Sequence, residues 1–136
     1  NGLPSTYIAR VATGTDNPDI AFALIEGVGV YKTTNGGAIW SQKNNGLTGT
    51  AVRTLVIDPQ NPSLLYLGTR RTSVFKSINQ GESWTAFNEG LQDRSVEVLT
   101  LDAQSPSTVY AGTNNGAYVI QQPVLDHRIY LPTIMR

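Results

Sequence analysis

The 136-residue sequence predicts an all-β chain of about three four-stranded antiparallel units, and three observations carry that prediction. Landmarks recur at a constant spacing of 44 residues: Asn17-Pro18, Asn61-Pro62 and Ser105-Pro106, then Gly2-Leu3, Gly46-Leu47 and Gly90-Leu91. A fixed period without slippage marks a repeat architecture. Residues 1–44 laid on 45–88 share twelve identities, among them Val30 on Val74, Lys32 on Lys76, Asn35 on Asn79, Gly37 on Gly81 and Trp40 on Trp84. Thirteen glycines and seven prolines punctuate short runs of β-branched and aromatic residues, and helical periodicity is hard to find.

Each element follows from local chemistry. In the second unit the first strand is "VRTLVID" (Val52 to Asp58), rich in β-branched residues, and "PQNPS" turns the chain into "LLYLGT" (Leu64 to Thr69). Arg70 to Thr72 form the next turn, "SVFKS" (Ser73 to Ser77) the third strand, "INQGES" a tight turn and "WTAFN" (Trp84 to Asn88) the fourth strand. The first unit fits the same template with "YIARVAT", "IAFALI", "VYKTT" and "WSQKN", and the third begins to, with "SVEVLTL", "TVYAGT" and "AYVIQ". After Ile120 the period fails, and "QQPVLDHRIYLPTIMR" carries neither the tight turn nor a tryptophan. Within it "HRIYL" is expected to replace the missing fourth strand and to end at Pro132; the alternatives are docking on another chain or a C-terminal sorting role. The expected organisation is unit 1 over 1–44, unit 2 over 45–88, a partial unit 3 over 89–121 and a closing strand or docking tail over 122–136.

A four-stranded sheet of this size cannot bury both of its faces alone, and sheets of about 44 residues stack radially as the blades of a β-propeller. The apolar character of the first strand on both faces agrees with a place near the axis. A solenoid is the competing architecture, disfavoured because solenoid repeats carry one long strand or a helix per turn. Three blades leave two raw faces, so further blades, a protein partner or a second copy closing a six-bladed homo-oligomer is expected. Residues 1–3 align with the end of a preceding fourth strand, so the expectation is a longer array cut at a repeat boundary.

Ten basic and ten acidic side chains cancel, which argues against nucleic acid or anionic lipid as a partner. Cysteine is absent, excluding disulfides and thiolate metal sites. No apolar run approaches the roughly twenty residues of a membrane helix.

The stretches Thr33-x-Asn35-x-Gly37-x-x-Trp40 and Ser77-x-Asn79-x-Gly81-x-x-Trp84 resemble the Asp-box, or bacterial neuraminidase repeat, whose pattern is Ser/Thr-x-Asp-x-Gly-x-x-Trp. The wording "GVYKTTNGGAIW" is similar to blades of sortilin-like receptors, xyloglucanase-like glycosidases and propeller-type photosystem assembly factors. This resemblance implies a turn between the third and fourth strands of a blade that serves the fold and lies away from catalytic centres. Both copies carry Asn where the family has Asp, and Asn equally accepts hydrogen bonds from turn amides, while Gly37 and Gly81 permit positive φ. Trp40 and Trp84 are expected to pack between blades, each burying roughly 150 to 250 Å². Two neutral Asn side chains supply no charge for a hard cation, so no metal and no cofactor is expected.

Strand direction alternates in a meander, which puts the tight turns at one end and the Arg70–Thr72 turn with the Gly46–Thr50 and Gly90–Arg94 loops at the other. Propellers usually receive ligands at this second end or in the central channel, which makes Arg70, Arg71, Asp93 and Arg94 the first candidate binding residues. A sialidase-like site needs an arginine cluster, a tyrosine nucleophile and an acid, and a xyloglucanase-like site needs two opposed carboxylates. Glu26, Asp93 and Glu97 stand isolated in the sequence, and the lone His127 has no marked nucleophile beside it. No glycine-rich phosphate loop is present. The expected function is a non-catalytic propeller module for protein recognition or scaffolding, extracellular, periplasmic or on the cell surface. The alternative is a non-catalytic portion of a carbohydrate-active glycosidase.

Overall fold

A computed structural model describes residues 1–4, 10–13, 17–72, 74–87, 95–102, 108–121 and 134–135. The described residues form twelve strands and no helix: β1 (Arg10–Thr13), β2 (Ala21–Ile25), β3 (Gly29–Thr33), β4 (Trp40–Gln42), β5 (Val52–Ile57), β6 (Leu65–Thr69), β7 (Val74–Ser77), β8 (Thr85–Ala86), β9 (Val96–Leu101), β10 (Thr108–Thr113), β11 (Gly116–Gln121) and β12 (Ile134–Met135). They make three four-stranded sheets, β1-β2-β3-β4, β5-β6-β7-β8 and β9-β10-β11-β12, with every neighbouring pair antiparallel. The all-β, bladed class read from the 44-residue period is the observed one. No helix among the described residues is long and apolar enough to cross a membrane, a statement that does not extend to strands.

Alternation along each strand splits the side chains between two faces, and stacking the sheets buries both faces of the middle one. Phe22, Leu24 and Val30 of the first blade meet Leu55, Leu65, Leu67, Phe75 and Trp84 of the second in one core. The opposite face of the second blade presents Tyr66 and Val74 to Val96, Leu99, Val109, Ala111, Tyr118 and Ile120 of the third. Burial of this kind contributes about 25 cal/mol per Å² of apolar surface, so the sheets are held by their neighbours and not by their own ladders.

Three details depart from the repeat read off the sequence. The fourth strands are short: β8 is two residues long, and Trp84 precedes it instead of opening it. The β10–β11 hairpin is one residue tighter than the period requires, with only Asn114 and Asn115 between the paired Thr113 and Gly116. Tyr118 therefore pairs with Ala111 as Phe75 pairs with Leu67, and Ile120 pairs with Val109 as Ser77 pairs with Leu65. An apolar Ile thus occupies the place of the turn hydroxyl in the third blade. Finally, the strand beside β11 is Ile134–Met135, beyond Pro132; the "HRIYL" segment expected there lies outside the described residues.

Candidate functional site at the Arg70 end

Two bulges build this end of the molecule. Between Val52 and Thr54 the β5–β6 register shifts past Arg53, and between Val96 and Val98 the β9–β10 register shifts past Glu97, one period later. A bulged residue leaves the ladder and its side chain is re-aimed. Here both are aimed at each other, and Arg53 Nη2 lies 2.7 Å from Glu97 Oε1. Glycine faces each bulge on the partner strand. A Cβ on Gly68 would sit 2.7 Å from Thr54 Cγ2 and 2.8 Å from Val96 Cγ1, and one on Gly112 would sit 2.7 Å from Val98 Cγ1. Arg53 also accepts Arg10 Nε at its carbonyl, at 3.2 Å, while its own Nε is buried with no hydrogen-bond partner.

Arg70 stands beside this pair on the β6–β7 turn. Thr69 and Thr72 tie that turn, with hydroxyl oxygens 2.8 Å apart and the Thr72 amide donating to Thr69 Oγ1 at 3.0 Å. The Arg70 amide donates to the Ala51 carbonyl and the Gly27 amide to the Thr50 carbonyl, which fixes the segment before β5 against both turns. Arg70 Nη1 lies 3.3 Å from Glu26 Oε2, and its Nε lies 4.0 Å from Glu97 Oε2. One guanidinium thus bridges carboxylates from the first and third blades.

A hollow opens on each side of Arg70. One, of about 430 Å³, is lined by Glu26, Gly27, Thr48 to Ala51 and Arg70 to Thr72. The other, of about 570 Å³, is lined by Arg70, Arg71, Ser95, Glu97 and Asn114, whose side-chain amide donates to Ser95 Oγ at 3.3 Å. Arg71 lines both and is paired with no carboxylate among the described residues. The structure therefore brings Arg70 and Arg71 together as two walls of one polar surface, while Asp93 and Arg94 lie outside the described residues, as does His127. Sequence reading missed Arg53 and its engagement of Glu97. The available signal was a charge inside an apolar strand at the same phase of two repeats, each opposite a glycine. Among the described residues no cluster of three or more His, Cys, Asp or Glu is placed to hold a metal ion.

The opposite end carries the tight turns. Asn35 Oδ1 accepts Thr33 Oγ1 and the Ile39 amide, both at 2.9 Å, and the Gly37 amide donates to Thr33 Oγ1 at 3.0 Å. Asn79 Oδ1 accepts Ser77 Oγ and the Ser83 amide, also at 2.9 Å, with the Gly81 amide donating to Ser77 Oγ at 2.8 Å. Gly37 and Gly81 adopt φ of 94° and 88°. Trp84 is 2% exposed between the first two blades and donates its indole N–H to the Lys43 carbonyl at 2.9 Å. Trp40, on the outward face of the first blade, is only half-buried.

No protein-family model and no curated protein matches the sequence. Among solved structures, the chain is similar to the GH74 enzyme of Niastella koreensis, at 26% identity and a TM-score of 0.69 over 83% of this chain and 19% of that one. It is also similar to an ancestral GH74 enzyme, at 23% identity and a TM-score of 0.67 over 83% and 17% of the two chains. A third likeness is to the GH74 xyloglucanase of Xanthomonas campestris, at 18% identity and a TM-score of 0.58 over 89% and 24%. The chain spans less than a quarter of the length of each, and its sheets are blades of the β-propeller kind.

Proposed function

We propose that the chain supplies three blades to a larger glycan-directed β-propeller protein acting outside the cytoplasm, and that these blades scaffold and recognise without catalysing. The similarity to GH74 enzymes supports the glycan class. The observation that supports the non-catalytic part is the pairing of the two carboxylates described at the Arg70 end. Glu26 is paired with Arg70, and Glu97 with Arg53 and Arg70. Hydrolysis of a glycoside needs one carboxyl group protonated as an acid, opposed to a second that acts as base or nucleophile. An arginine beside each carboxylate occupies oxygens that an acid or a base would need free. In this reading the Thr33 and Ser77 turns are Asp-boxes in which Asn performs the hydrogen bonding of Asp.

Calorimetric titration with xyloglucan oligosaccharides, alongside a turnover assay on xyloglucan, tests the reading. Binding that weakens in Arg71→Ala, with no turnover, is expected. Turnover by this chain overturns the non-catalytic assignment, and the absence of saccharide binding overturns the glycan-directed one. A second reading, recognition of a protein at the same end, is favoured by one feature: Arg71 stands between two hollows and is paired with no carboxylate among the described residues.

A further inference from the structure

The turn between the second and third strands of each blade falls at one phase of the repeat: Glu26-Gly27 in the first, Arg70-Arg71 in the second and Asn114-Asn115 in the third. Three different pairs serve the same turn, so the fold does not require arginine there. Arg70 is accounted for by its carboxylates, Glu26 at 3.3 Å and Glu97 at 4.0 Å. Arg71 is exposed, and its side chain makes neither an ion pair nor a hydrogen bond among the described residues. The surrounding charge does not offset it. At this end Arg10, Arg53, Arg70 and Arg71 stand against Glu26 and Glu97, and the charges of Asp93 and Arg94 in the next loop cancel in the sequence.

Of the two hollows beside Arg71, the one on the Glu26 side is the richer in donors. Its volume of about 430 Å³ falls within the range of about 300 to 1,000 Å³ usual for small-ligand sites. One wall is the Thr48 to Thr50 segment, held to the neighbouring turns by the Gly27 amide on the Thr50 carbonyl at 2.8 Å and the Arg70 amide on the Ala51 carbonyl at 2.9 Å. A Cβ on Gly49 would sit 3.1 Å from Thr72 Cγ2, so segment and turn are already in contact and the hollow is preformed. The Thr72 hydroxyl is tied to Thr69, whereas those of Thr48 and Thr50, in the same lining, are engaged by no hydrogen bond among the described residues. Glu26, the one carboxylate of the lining, is taken by Arg70. No Trp, Tyr or Phe lines the hollow, so the apolar face of a neutral sugar ring finds no aromatic surface to stack on. What it offers is an unpaired guanidinium and two hydroxyls around a space large enough for a sugar unit.

We propose that this hollow binds a uronic acid unit of an acidic oligosaccharide, with the sugar carboxylate on the Arg71 guanidinium and sugar hydroxyls on Thr48 and Thr50. The proposal rests on the glycan-directed reading and names the class of sugar, acidic and not neutral. A guanidinium meets a carboxylate through two parallel N–H···O bonds, a match that a neutral hydroxyl cannot supply. Because Arg71 is exposed, the contact is sensitive to salt.

Calorimetric titration with a galacturonic acid oligosaccharide, the same oligosaccharide as its methyl ester, and a xyloglucan oligosaccharide tests the proposal. The free acid is expected to bind roughly tenfold or more tightly than the ester, the contribution of one charge-assisted pair, with an affinity that falls as salt is raised. Arg71→Gln is expected to bring the free acid down to the level of the ester at an unchanged melting temperature, and Arg71→Lys to retain part of the difference. Thr50→Val is expected to weaken acid and ester alike, and Asn114→Ala, in the lining of the other hollow, to weaken neither. Equal binding of acid, ester and xyloglucan overturns the acidic specification and leaves the glycan-directed reading standing. A loss in Asn114→Ala instead of Thr50→Val overturns the placement. If no saccharide binds, the glycan-directed reading falls and the proposal with it, and Arg71-dependent capture of a polyglutamate peptide in that case assigns the hollow to an acidic protein segment.

Discussion

Lys32 Nζ lies 2.9 Å from the main-chain carbonyl of Gln80, across the boundary between the first two blades. Gln80 is the only non-glycine residue with positive φ among those described, at 60°. Its left-handed backbone lets the carbonyl and side-chain Oε1 meet the same ammonium. Glu82 adds charge and is shared with Lys43, whose Nζ is 2.9 Å from Glu82 Oε1. The ammonium also stands 5.9 Å above the Phe22 ring. Lys32→Ala removes the charge and leaves its acceptors partly buried, so a loss of about 2 kcal/mol is expected in urea unfolding. Lys32→Met keeps the packing volume and is expected to cost about 1 kcal/mol, mainly from unmet acceptors at Gln80. Equal losses for the two variants would show that the ion contributes nothing beyond shape.

The two tight turns share hydrogen bonds but not surroundings, which separates a backbone cost from a packing cost. A Cβ on Gly37 would meet nothing nearer than the Trp40 ring at 3.9 Å, whereas one on Gly81 would sit 3.0 Å from Phe22 Cε1 and 3.6 Å from Leu65 Cδ1. Gly37→Ala is expected to cost about 1 kcal/mol for its left-handed backbone alone. Gly81→Ala carries that cost and also presses on the interblade core, for a total of about 3 kcal/mol. Paired thermal melts check the ordering, and a Gly37→Ala loss equal to that of Gly81→Ala contradicts it.

The repeat made the sheets, their strand order and the tight turns readable before any coordinates, because those features depend on residues that recur, such as Asn35 with Asn79 and Trp40 with Trp84. The Lys32 contact was not readable from the period, since Gln80 and Glu82 replace Gly36 and Ala38 at positions where the copies disagree. The tighter β10–β11 hairpin escaped for a related reason. Gly112-Thr113 keeps the period faithfully, and the single residue lost in the following turn changes which side chain faces the core without breaking the run of apolar letters. At the candidate site Arg70 and Arg71 were legible as turn residues. Their connection to Arg53 and Glu97 depends on bulges, which alternation alone places on the wrong face.

Two ionisable groups set opposite pH limits. Burial, with the nearby Asp58 charge in support, pushes the Tyr66 phenol from 10.0 up to about 12. A folded-state value above the unfolded one gives a stability contribution that is whole below pH 10 and is lost as pH rises toward about 12. Glu82 behaves in the opposite sense. Its hydrogen bond from Lys43, joined by Lys32, lowers it below 4.5 against an opposing effect of burial, so its contribution is in place above that value and disappears as pH falls below it. Glu82 is half exposed, which makes this acid limb shallow and salt-sensitive. Tyr66→Phe is expected to flatten the alkaline loss in a pH series of melts, and Glu82→Gln the acid one. A wild-type alkaline loss complete below pH 10 would contradict the buried phenol.

Trp84 and Trp40 occupy one repeat position with different neighbours, so they measure directly what a covering blade contributes. Trp84 is sealed by Phe22, Leu24 and Val30 and gives its indole N–H to Lys43. Trp84→Ala opens a cavity in that core and leaves the Lys43 carbonyl without its donor, and a loss of about 4 kcal/mol is expected. Trp40 keeps the same backbone bond to Asn1 but is only partly buried. Trp40→Ala forfeits partial burial only, about 1 to 2 kcal/mol. Single-tryptophan variants carry the same contrast into fluorescence: with Trp40→Phe the remaining Trp84 should emit blue and resist acrylamide, and with Trp84→Phe the remaining Trp40 should emit red and quench readily. Two equally shielded indoles would mean that the first blade is covered in solution, and two equally quenched ones would mean that the blades do not stack.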